Sequence, residues 1–248
     1  MTNYKLVLCY DGTKYNGWQR LGDTDNTIQN KVETLLSRLL EQPVEVIASG
    51  RTDAGVHALR QVCSFKATTD MTDEEILEGI RRFLPNDIGA ISLEQADPRF
   101  HARYNALRKT YVYRVKTNYE PSVFERKYLF YFRHEIDVQQ MRVAASFLCG
   151  EHDFSAFTSA KHMTKSAVRR IESIDIEPLG GGVLELTFTG SGFLRNMVRI
   201  MTGTLLEVGT GRRSAWDIPE VINSGARSEA GFMAPPEGLF LKDVEYPE

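Results

Sequence analysis

The amino-acid sequence predicts an α+β fold built from two similar halves, and three observations support this class. Short strand-like runs alternate with segments whose apolar residues recur every three to four positions, as on one face of a helix. The order strand, helix, strand, strand, helix in the first part returns loosely in the second. No low-complexity linker separates the two parts near Pro98 to Arg108, so we expect residues 1–103 and 104–248 to pack as one body.

The first half begins with a strand over Tyr4 to Tyr10, which ends at the turn Asp11-Gly12-Thr13. A helix is predicted over Thr27 to Gln42, because its aliphatic residues fall on one stripe and Pro43 stops it. A strand over Val44 to Ala48 then leads into a glycine-flanked loop.

A further strand over Gln61 to Lys66 and a second helix complete the first half. Thr72-Asp73-Glu74-Glu75 is a capping box, in which the threonine and glutamate side chains each bond to a backbone N–H of the first turn. The helix that it opens ends before Pro85.

The second half repeats this pattern. Asp137 is predicted to cap a helix through Cys149, with Gln140 completing a capping box. The run Gly180-Gly181-Gly182 indicates a hairpin connection. The other expected elements are strands over Lys109 to Lys116, Ile171 to Glu177 and Val183 to Thr189, and a helix over Phe193 to Val208 that ends at Gly209 to Gly211.

The composition argues against several classes of protein. Of the 248 residues, 42% are hydrophobic and 25% charged, with a formal net charge of −3, which is typical of globular proteins. No apolar run reaches the ~18 residues of a membrane-spanning helix, and the first residues lead into a strand instead of a signal peptide. Cys9, Cys63 and Cys149 form no C-x-x-C pair, so we expect a cytoplasmic protein without disulfides.

Positive charge is concentrated in two stretches. Residues 99–133 contain nine basic residues against two acidic ones, with aromatic residues between them. Lys161 to Arg170 adds four basic residues and no acid. This pattern is typical of nucleic-acid binding through phosphate contacts and base stacking, and equally of an ordinary solvated surface.

The best candidate for catalysis is the loop Gly50-Arg51-Thr52-Asp53-Ala54-Gly55-Val56-His57. A carboxylate on a loop just after a buried strand is accessible to a ligand, and a neighbouring arginine can keep it ionised. Asp53 then suits a nucleophile or a base. The alternative is a tight turn in which Thr52 and Asp53 bond to the backbone.

Other chemistries lack their motifs. The five histidines show no zinc-hydrolase or zinc-deaminase spacing, and no phosphate-binding or dinucleotide-binding glycine motif is present. A glycosidase-type carboxylate pair would need a partner for Asp53 that the sequence does not single out. We therefore predict no metal and no nucleotide cofactor.

Two further sets of residues allow a functional or a structural interpretation. Arg195 and Arg199 are four positions apart, so they are predicted to share one face of a helix. On that face they either contact a ligand or form a pair of solvated side chains. Tyr111, Tyr113 and Val115 alternate along a strand, and the simpler interpretation is a half-buried core face.

Seven sequence blocks along the chain resemble those of the TruA-type tRNA pseudouridine synthases, in the order of that family. The central block is the loop itself, GRTDAGVHA at Gly50 to Ala58. The others are DGTKYNGWQ (Asp11 to Gln19), RFHAR (Arg99 to Arg103), KTYVYRV (Lys109 to Val115), GEHDFSAF (Gly150 to Phe157), GFLRNMVR (Gly192 to Arg199) and APPEGLFL (Ala234 to Leu241).

This resemblance implies the pseudouridine synthase fold, in which two related α/β halves carry mixed, mostly antiparallel sheets joined across a central cleft. It also implies a homodimer that acts on tRNA with no metal and no organic cofactor. The reaction detaches uridine at N1, rotates the base while it is held, and rejoins it through C5. The usual targets in the family are positions 38, 39 and 40 of the anticodon stem-loop.

Site residues are carried over from the matching blocks. Asp53 resembles the catalytic aspartate, Arg51 and Arg199 its charged neighbours, Tyr111 the residue that stacks on the target base, and Arg103 the residue that helps to extrude it. The carboxylate attacks C1′, attacks C6 or removes a ribose proton, and the sequence does not distinguish these routes.

The chain departs from the family pattern as well. Arg60 stands where many members have glycine, and the pair Arg195-Asn196 stands where many have an aromatic residue and histidine. None of these differences falls on the expected catalytic residues. The alternatives are a paralogue that acts on another RNA or tRNA position and a catalytically silent tRNA-binding module.

Overall fold

The computed structural model describes residues 1–120, 123–160 and 166–247, and it confirms the α+β class. The described chain contains ten strands and five α-helices. The strands are β1 (Thr2–Tyr10), β2 (Ile47–Ala48), β3 (His57–Ala67), β4 (Ile88–Ala96), β5 (Arg108–Lys116), β6 (Phe130–Tyr131), β7 (Gly150–Asp153), β8 (Val168–Gly180), β9 (Val183–Gly190) and β10 (Leu239–Glu245). The helices are α1 (Ile28–Leu39), α2 (Asp73–Phe83), α3 (Val138–Leu148), α4 (Met197–Gly209) and α5 (Ile218–Ser224).

The chain divides into two compact units. The first comprises Met1–Leu107 together with Phe240–Glu248, and the second comprises Arg108–Leu239. The predicted halves, residues 1–103 and 104–248, differ from these units in the boundary and in the last segment. The last segment returns to the first unit because it contains most of β10, which pairs with β3 there.

In the first unit, the strands have the order β4-β1-β3-β10. The short strand β2 also pairs with β3 but is not part of this order. The pairs of β1 with β3 and with β4 are antiparallel, whereas β10 runs parallel to β3. α2 packs on β4 and against α1. The core side chains Leu6, Leu8 and Leu36 are completely buried.

In the second unit, the sheet has the order β5-β9-β8-β7, with antiparallel pairs throughout this path. β6 adds a short parallel pair to β5. α3 packs on β8 and against α4. Twelve residues of α4 are buried, so this helix is the centre of the unit.

Local sequence signals predict the helix starts correctly in the first unit. Thr27 accepts the N–H of Asn30, and Thr72 and Glu75 form the predicted capping box at α2. Hydrogen bonds from the backbone N–H and the hydroxyl of Thr72 lower the pKa of Glu75. These caps satisfy N–H groups that otherwise have no partner in the first turn.

Two details of the second unit differ from prediction. Asp137 caps α3 by accepting the N–H groups of Gln139 and Gln140, but the predicted box is incomplete because its own N–H donates to the carbonyl of Gly209. α4 begins at Met197 instead of Phe193, because Asn196 has a φ of 59° and interrupts the helical backbone.

Five of the strands and α-helices in the described chain were not predicted from the sequence: β4, β6, β7, α5 and β10. All three cysteines are unpaired in the structure. No helix in the described part of the chain is long and apolar enough to cross a membrane.

We predict that Gly203→Ala destabilises the protein although alanine favours helices by about 1 kcal/mol over glycine. A Cβ at Gly203 in α4 would lie 1.8 Å from the carbonyl oxygen of Phe232, so the backbone must shift. We expect a loss of about 1–3 kcal/mol in the free energy of unfolding, measured in urea. Gly22→Ala is the control, because nothing lies within 4 Å of its Cβ position; equal stability of the two variants would contradict the steric argument.

Candidate active site

Asp53 lies in the first unit, in the loop between β2 and β3. Its side chain is half-buried, between the exposed Arg51 and Ala54, whereas Thr52 and Val56 are buried. The loop therefore alternates between anchored and accessible residues. Asp53 lies on a loop after a strand, as predicted, although that strand, β2, is half-buried and not buried. The chemical role of Asp53 stays a prediction.

A buried side chain of β3 fixes the start of the loop. Gln61 is completely buried, and its Nε2 donates to the carbonyl of Gly50 at 2.9 Å and to the Tyr10 hydroxyl at 3.3 Å. Its Oε1 accepts from the hydroxyl of Ser49 at 2.6 Å, and Ser49 is itself completely buried. A satisfied buried amide of this kind specifies a single local geometry.

The segment after β1 holds the middle of the loop. The N–H of Trp18 donates to the carbonyl of Thr52 at 3.0 Å, and the hydroxyls of Tyr10 and Thr52 lie 2.8 Å apart. Gly17 has a φ of +92°, and a Cβ there would lie 2.8 Å from the Thr52 carbonyl oxygen. Only glycine allows this approach without strain. The block DGTKYNGWQ thus shapes the loop of Asp53, a role that its residue pattern does not indicate.

The tight-turn interpretation of the loop is correct for its backbone. The N–H of Val56 donates to the carbonyl of Asp53 at 3.1 Å, and that of Gly55 donates to the carbonyl of Tyr15 at 3.3 Å. The turn is thus closed through the main chain of Asp53. Such a turn holds the carboxylate-bearing residue without depending on the carboxylate, which is compatible with catalysis.

His57 anchors the end of the loop. Its ring is buried, stacks on Phe240 with the ring centroids 4.7 Å apart, and accepts the N–H of Gly12 at Nδ1 over 3.0 Å. Nδ1 also lies 3.3 Å from Oδ1 of Asp11.

Arg103 extends from a separate, well-anchored turn of the first unit. Its side chain is exposed, whereas its neighbour Ala102 is completely buried. The carbonyl of Ala102 accepts the hydroxyl of Tyr246 at 2.6 Å, and its N–H donates to Ser64 at 3.2 Å. Nδ1 of His101 accepts the N–H of Arg103 at 3.2 Å. The turn is therefore fixed while the guanidinium remains available to a ligand.

In the second unit, Tyr111 lies on β5 with only 8% of its surface exposed. The ring of Phe193 meets the Tyr111 ring edge to face, with centroids 5.1 Å apart. Tyr113 is completely buried, and its hydroxyl donates to the carbonyl of Pro235 at 2.6 Å. Burial raises the pKa of Tyr113. Core packing therefore explains Tyr113 fully, and it also orients the ring of Tyr111.

Arg199 is the buried basic residue of α4, with 8% of its surface exposed. Its Nε donates to the carbonyl of Ala234 at 2.7 Å, and its Nη1 donates to Oδ1 of Asn196 at 3.1 Å. Arg195 is exposed and precedes the helix, so the prediction that it shares a helix face with Arg199 is wrong. The guanidinium of Arg199 is held by two acceptors and is not a solvated surface charge.

The five predicted site residues are thus distributed over both units. Arg51, Asp53 and Arg103 belong to the first, and Tyr111 and Arg199 belong to the second. The residues that fix them, above all Gln61, Gly17 and Asn196, carry no local sequence signal for this role. Part of the predicted basic stretch from Lys161 to Arg170, residues 161–165, lies outside the described residues. Within the described chain, no cluster of three or more His, Cys, Asp or Glu side chains is placed to hold a metal ion.

Comparison with known proteins identifies the family to which this chain belongs. The family model described as tRNA pseudouridine synthase matches residues 7–105 and 144–247. These ranges include the Asp53 loop, the Arg103 turn and α4. The chain belongs to the tRNA pseudouridine synthase family, and it is an isomerase.

Curated relatives narrow this to the TruA type. A protein named tRNA pseudouridine synthase A from Bacillus sp. (strain KSM-64) is 44% identical over 246 residues, which cover 99% of this chain and all of the relative. A protein named tRNA pseudouridine synthase A 2, from Bacillus cereus (strain ZK / E33L), is 41% identical over 246 residues, which also cover 99% of this chain and all of the relative. A chain of a solved Cbf5-Nop10-Gar1 complex is 13% identical with a TM-score of 0.37, covering 82% of this chain and 45% of its own, and this likeness is too weak to support a conclusion.

We predict that Gly17→Ala slows pseudouridine formation while leaving the protein folded. The new Cβ would push the carbonyl of Thr52 away and so displace the adjacent Asp53. A displacement of about 1 Å costs on the order of a hundredfold in rate. The single-turnover rate on tRNA is the measurement.

Gly181→Ala is the matched control for Gly17→Ala. Gly181 also has a positive φ, +56°, but nothing lies within 4 Å of its Cβ position. We expect this variant to keep its rate. Equal rate losses in the two variants would show that backbone strain, and not the contact with Thr52, is responsible.

Proposed function

We propose that this protein converts uridine to pseudouridine at positions 38, 39 and 40 of the tRNA anticodon stem-loop, with Asp53 as the catalytic nucleophile. One observation carries the proposal beyond family membership. Asp53 lies on a loop in which Thr52 and Val56 are buried and the main chain is hydrogen-bonded, while its own side chain is half-exposed. A carboxylate fixed by its backbone and accessible at its side chain suits covalent or base catalysis.

The reaction is an isomerisation and needs no external reactant. The bond between ribose C1′ and N1 breaks, the base rotates, and a bond between C1′ and C5 forms. The proton on C5 is then lost, and N1 gains one, so atoms and charges balance. Asp53 attacks C1′ or C6, or removes a ribose proton, and each of these routes uses the same carboxylate.

The other site residues supply binding and charge in this proposal. Tyr111 stacks on the target base, and its edge-to-face contact with Phe193 restricts the ring. Arg103, exposed on an anchored turn, helps to extrude the base from the stem, which costs a few kcal/mol. Arg51 and Arg199 provide the positive charge that keeps a carboxylate ionised.

The proposal includes a second copy of this chain as partner and a cytoplasmic location. Three unpaired cysteines are compatible with a reducing compartment. In a homodimer, the basic residues of both copies would be available to one tRNA, which favours binding of a polyanion despite the net charge of −3. Sedimentation at several protein concentrations measures whether the chain is a dimer.

We predict that Asp53→Asn abolishes turnover and changes tRNA affinity by no more than several-fold. The amide preserves the size of the side chain and leaves the main-chain turn intact, but it is neither a nucleophile nor a base. Release of tritium from tRNA labelled at uridine C5 measures turnover. Activity above about a hundredth of wild type would remove Asp53 from the catalytic role.

A second substitution series tests stacking by Tyr111. Tyr111→Phe keeps the ring and should bind tRNA nearly as well as wild type. Tyr111→Leu should lose part of the ~1–3 kcal/mol that a stacked base contributes. Binding by filter retention measures the difference, and equal affinities of the Phe and Leu variants would contradict stacking.

A further inference from the structure

Asn196 occupies a strained position at the start of α4. Among the described residues other than glycine, positive φ angles occur at Glu41 and Asn196, with values of 51° and 59°. Asparagine tolerates this left-handed conformation better than most residues, but it still costs free energy. Strain of this kind persists where surrounding contacts require it, and the contacts of Asn196 show what it serves.

The Asn196 side chain does not act as a helix cap. An asparagine at this position usually accepts an N–H from the first turn, yet Asn196 makes no such bond. Its Oδ1 instead accepts from Nη1 of Arg199 at 3.1 Å, and its Nδ2 donates to Oγ of Ser159 at 2.7 Å. The carboxamide thus connects the guanidinium to a neighbouring segment.

That neighbouring segment is itself attached to the residue before Asn196. The N–H of Ser159 and the hydroxyl of Thr158 both donate to the carbonyl of Arg195, at 3.3 and 3.2 Å. Thr158 is buried. The carbonyl of Ala234 fixes the guanidinium of Arg199 from another direction, through Nε. Two acceptors on different segments define the plane of a guanidinium, which is rigid and planar.

We propose that Asn196 is a positioning residue for Arg199. Its left-handed backbone directs the carboxamide toward the guanidinium, and Ser159 fixes the far side of the carboxamide. Arg199 is thereby oriented before tRNA binds. This inference rests on the proposed role of Arg199 in the reaction, and it adds a residue to which the family resemblance gave no function.

A double-mutant cycle tests the proposal. Asn196→Gly removes the carboxamide and relieves the backbone strain, so a slower reaction cannot result from strain. We expect its single-turnover rate to fall on the order of tenfold or more, with tRNA affinity within about threefold of wild type. In an Arg199→Ala background, Asn196→Gly should cause no further loss, because it acts through that guanidinium.

Three controls complete the design. Glu41→Gly relieves the same type of strain at an exposed residue of the first unit and should leave the rate unchanged. Ser159→Ala breaks only the outer hydrogen bond and should give a smaller loss than Asn196→Gly. The melting temperature of each variant verifies that it folds.

The possible outcomes distinguish the role of Arg199 in the reaction from the positioning of Arg199 by Asn196. If Arg199→Ala is slow and the effect of Asn196→Gly adds to it in full, Asn196 does not act through Arg199 and the inference is overturned. A wild-type rate for Asn196→Gly also overturns it, while the role of Arg199 survives. If Arg199→Ala itself reacts at the wild-type rate, the proposed role of Arg199 fails, and the inference fails with it.

Discussion

The candidate site depends on one buried side chain, the carboxamide of Gln61 on β3. Its hydrogen bonds reach Tyr10 on β1 and both residues that begin the loop, Ser49 and Gly50. Leaving such a buried polar group without partners costs about 1–3 kcal/mol, so the arrangement is strongly preferred. The loop of Asp53 is therefore anchored in the core where it begins, while Arg51 and Ala54 further along it are exposed and Asp53 is half-buried.

The second unit fixes its charged residue by the same means. Arg199 lies in the most buried helix, where an unpaired guanidinium would be costly, and the Ala234 carbonyl and Asn196 carboxamide accept from it. Phe193 orients the ring of Tyr111. Phe193 belongs to the block GFLRNMVR, which also contains Arg199. In both units, packing and hydrogen bonds fix the backbone that carries the proposed site residues, as catalysis by preorganised groups would require.

Sequence alone predicted what local patterns encode. The α+β class, the capped helices α1 and α2 and the loop of Asp53 follow from stripes, caps and glycines that act within a few residues. β10 was missed because its pairing with β3 is non-local. The predicted start of α4 is too early because Phe193 and Leu194 extend the apolar stripe of the helix. Periodicity carries no information about the left-handed backbone of Asn196, which precedes the true start. The support beneath the loop, from Gln61, also needs the folded chain.

The most direct test of the account is to map pseudouridine in tRNA treated with the wild-type protein. Unmodified tRNA transcripts with uridine at positions 38, 39 and 40 are incubated with the purified protein, treated with carbodiimide and analysed by primer extension. The account predicts new adducts at those positions and none in transcripts without protein. Adducts only at other positions would indicate a paralogue with a different target, and tRNA binding without any adduct would indicate a silent binding module; either result would contradict the account.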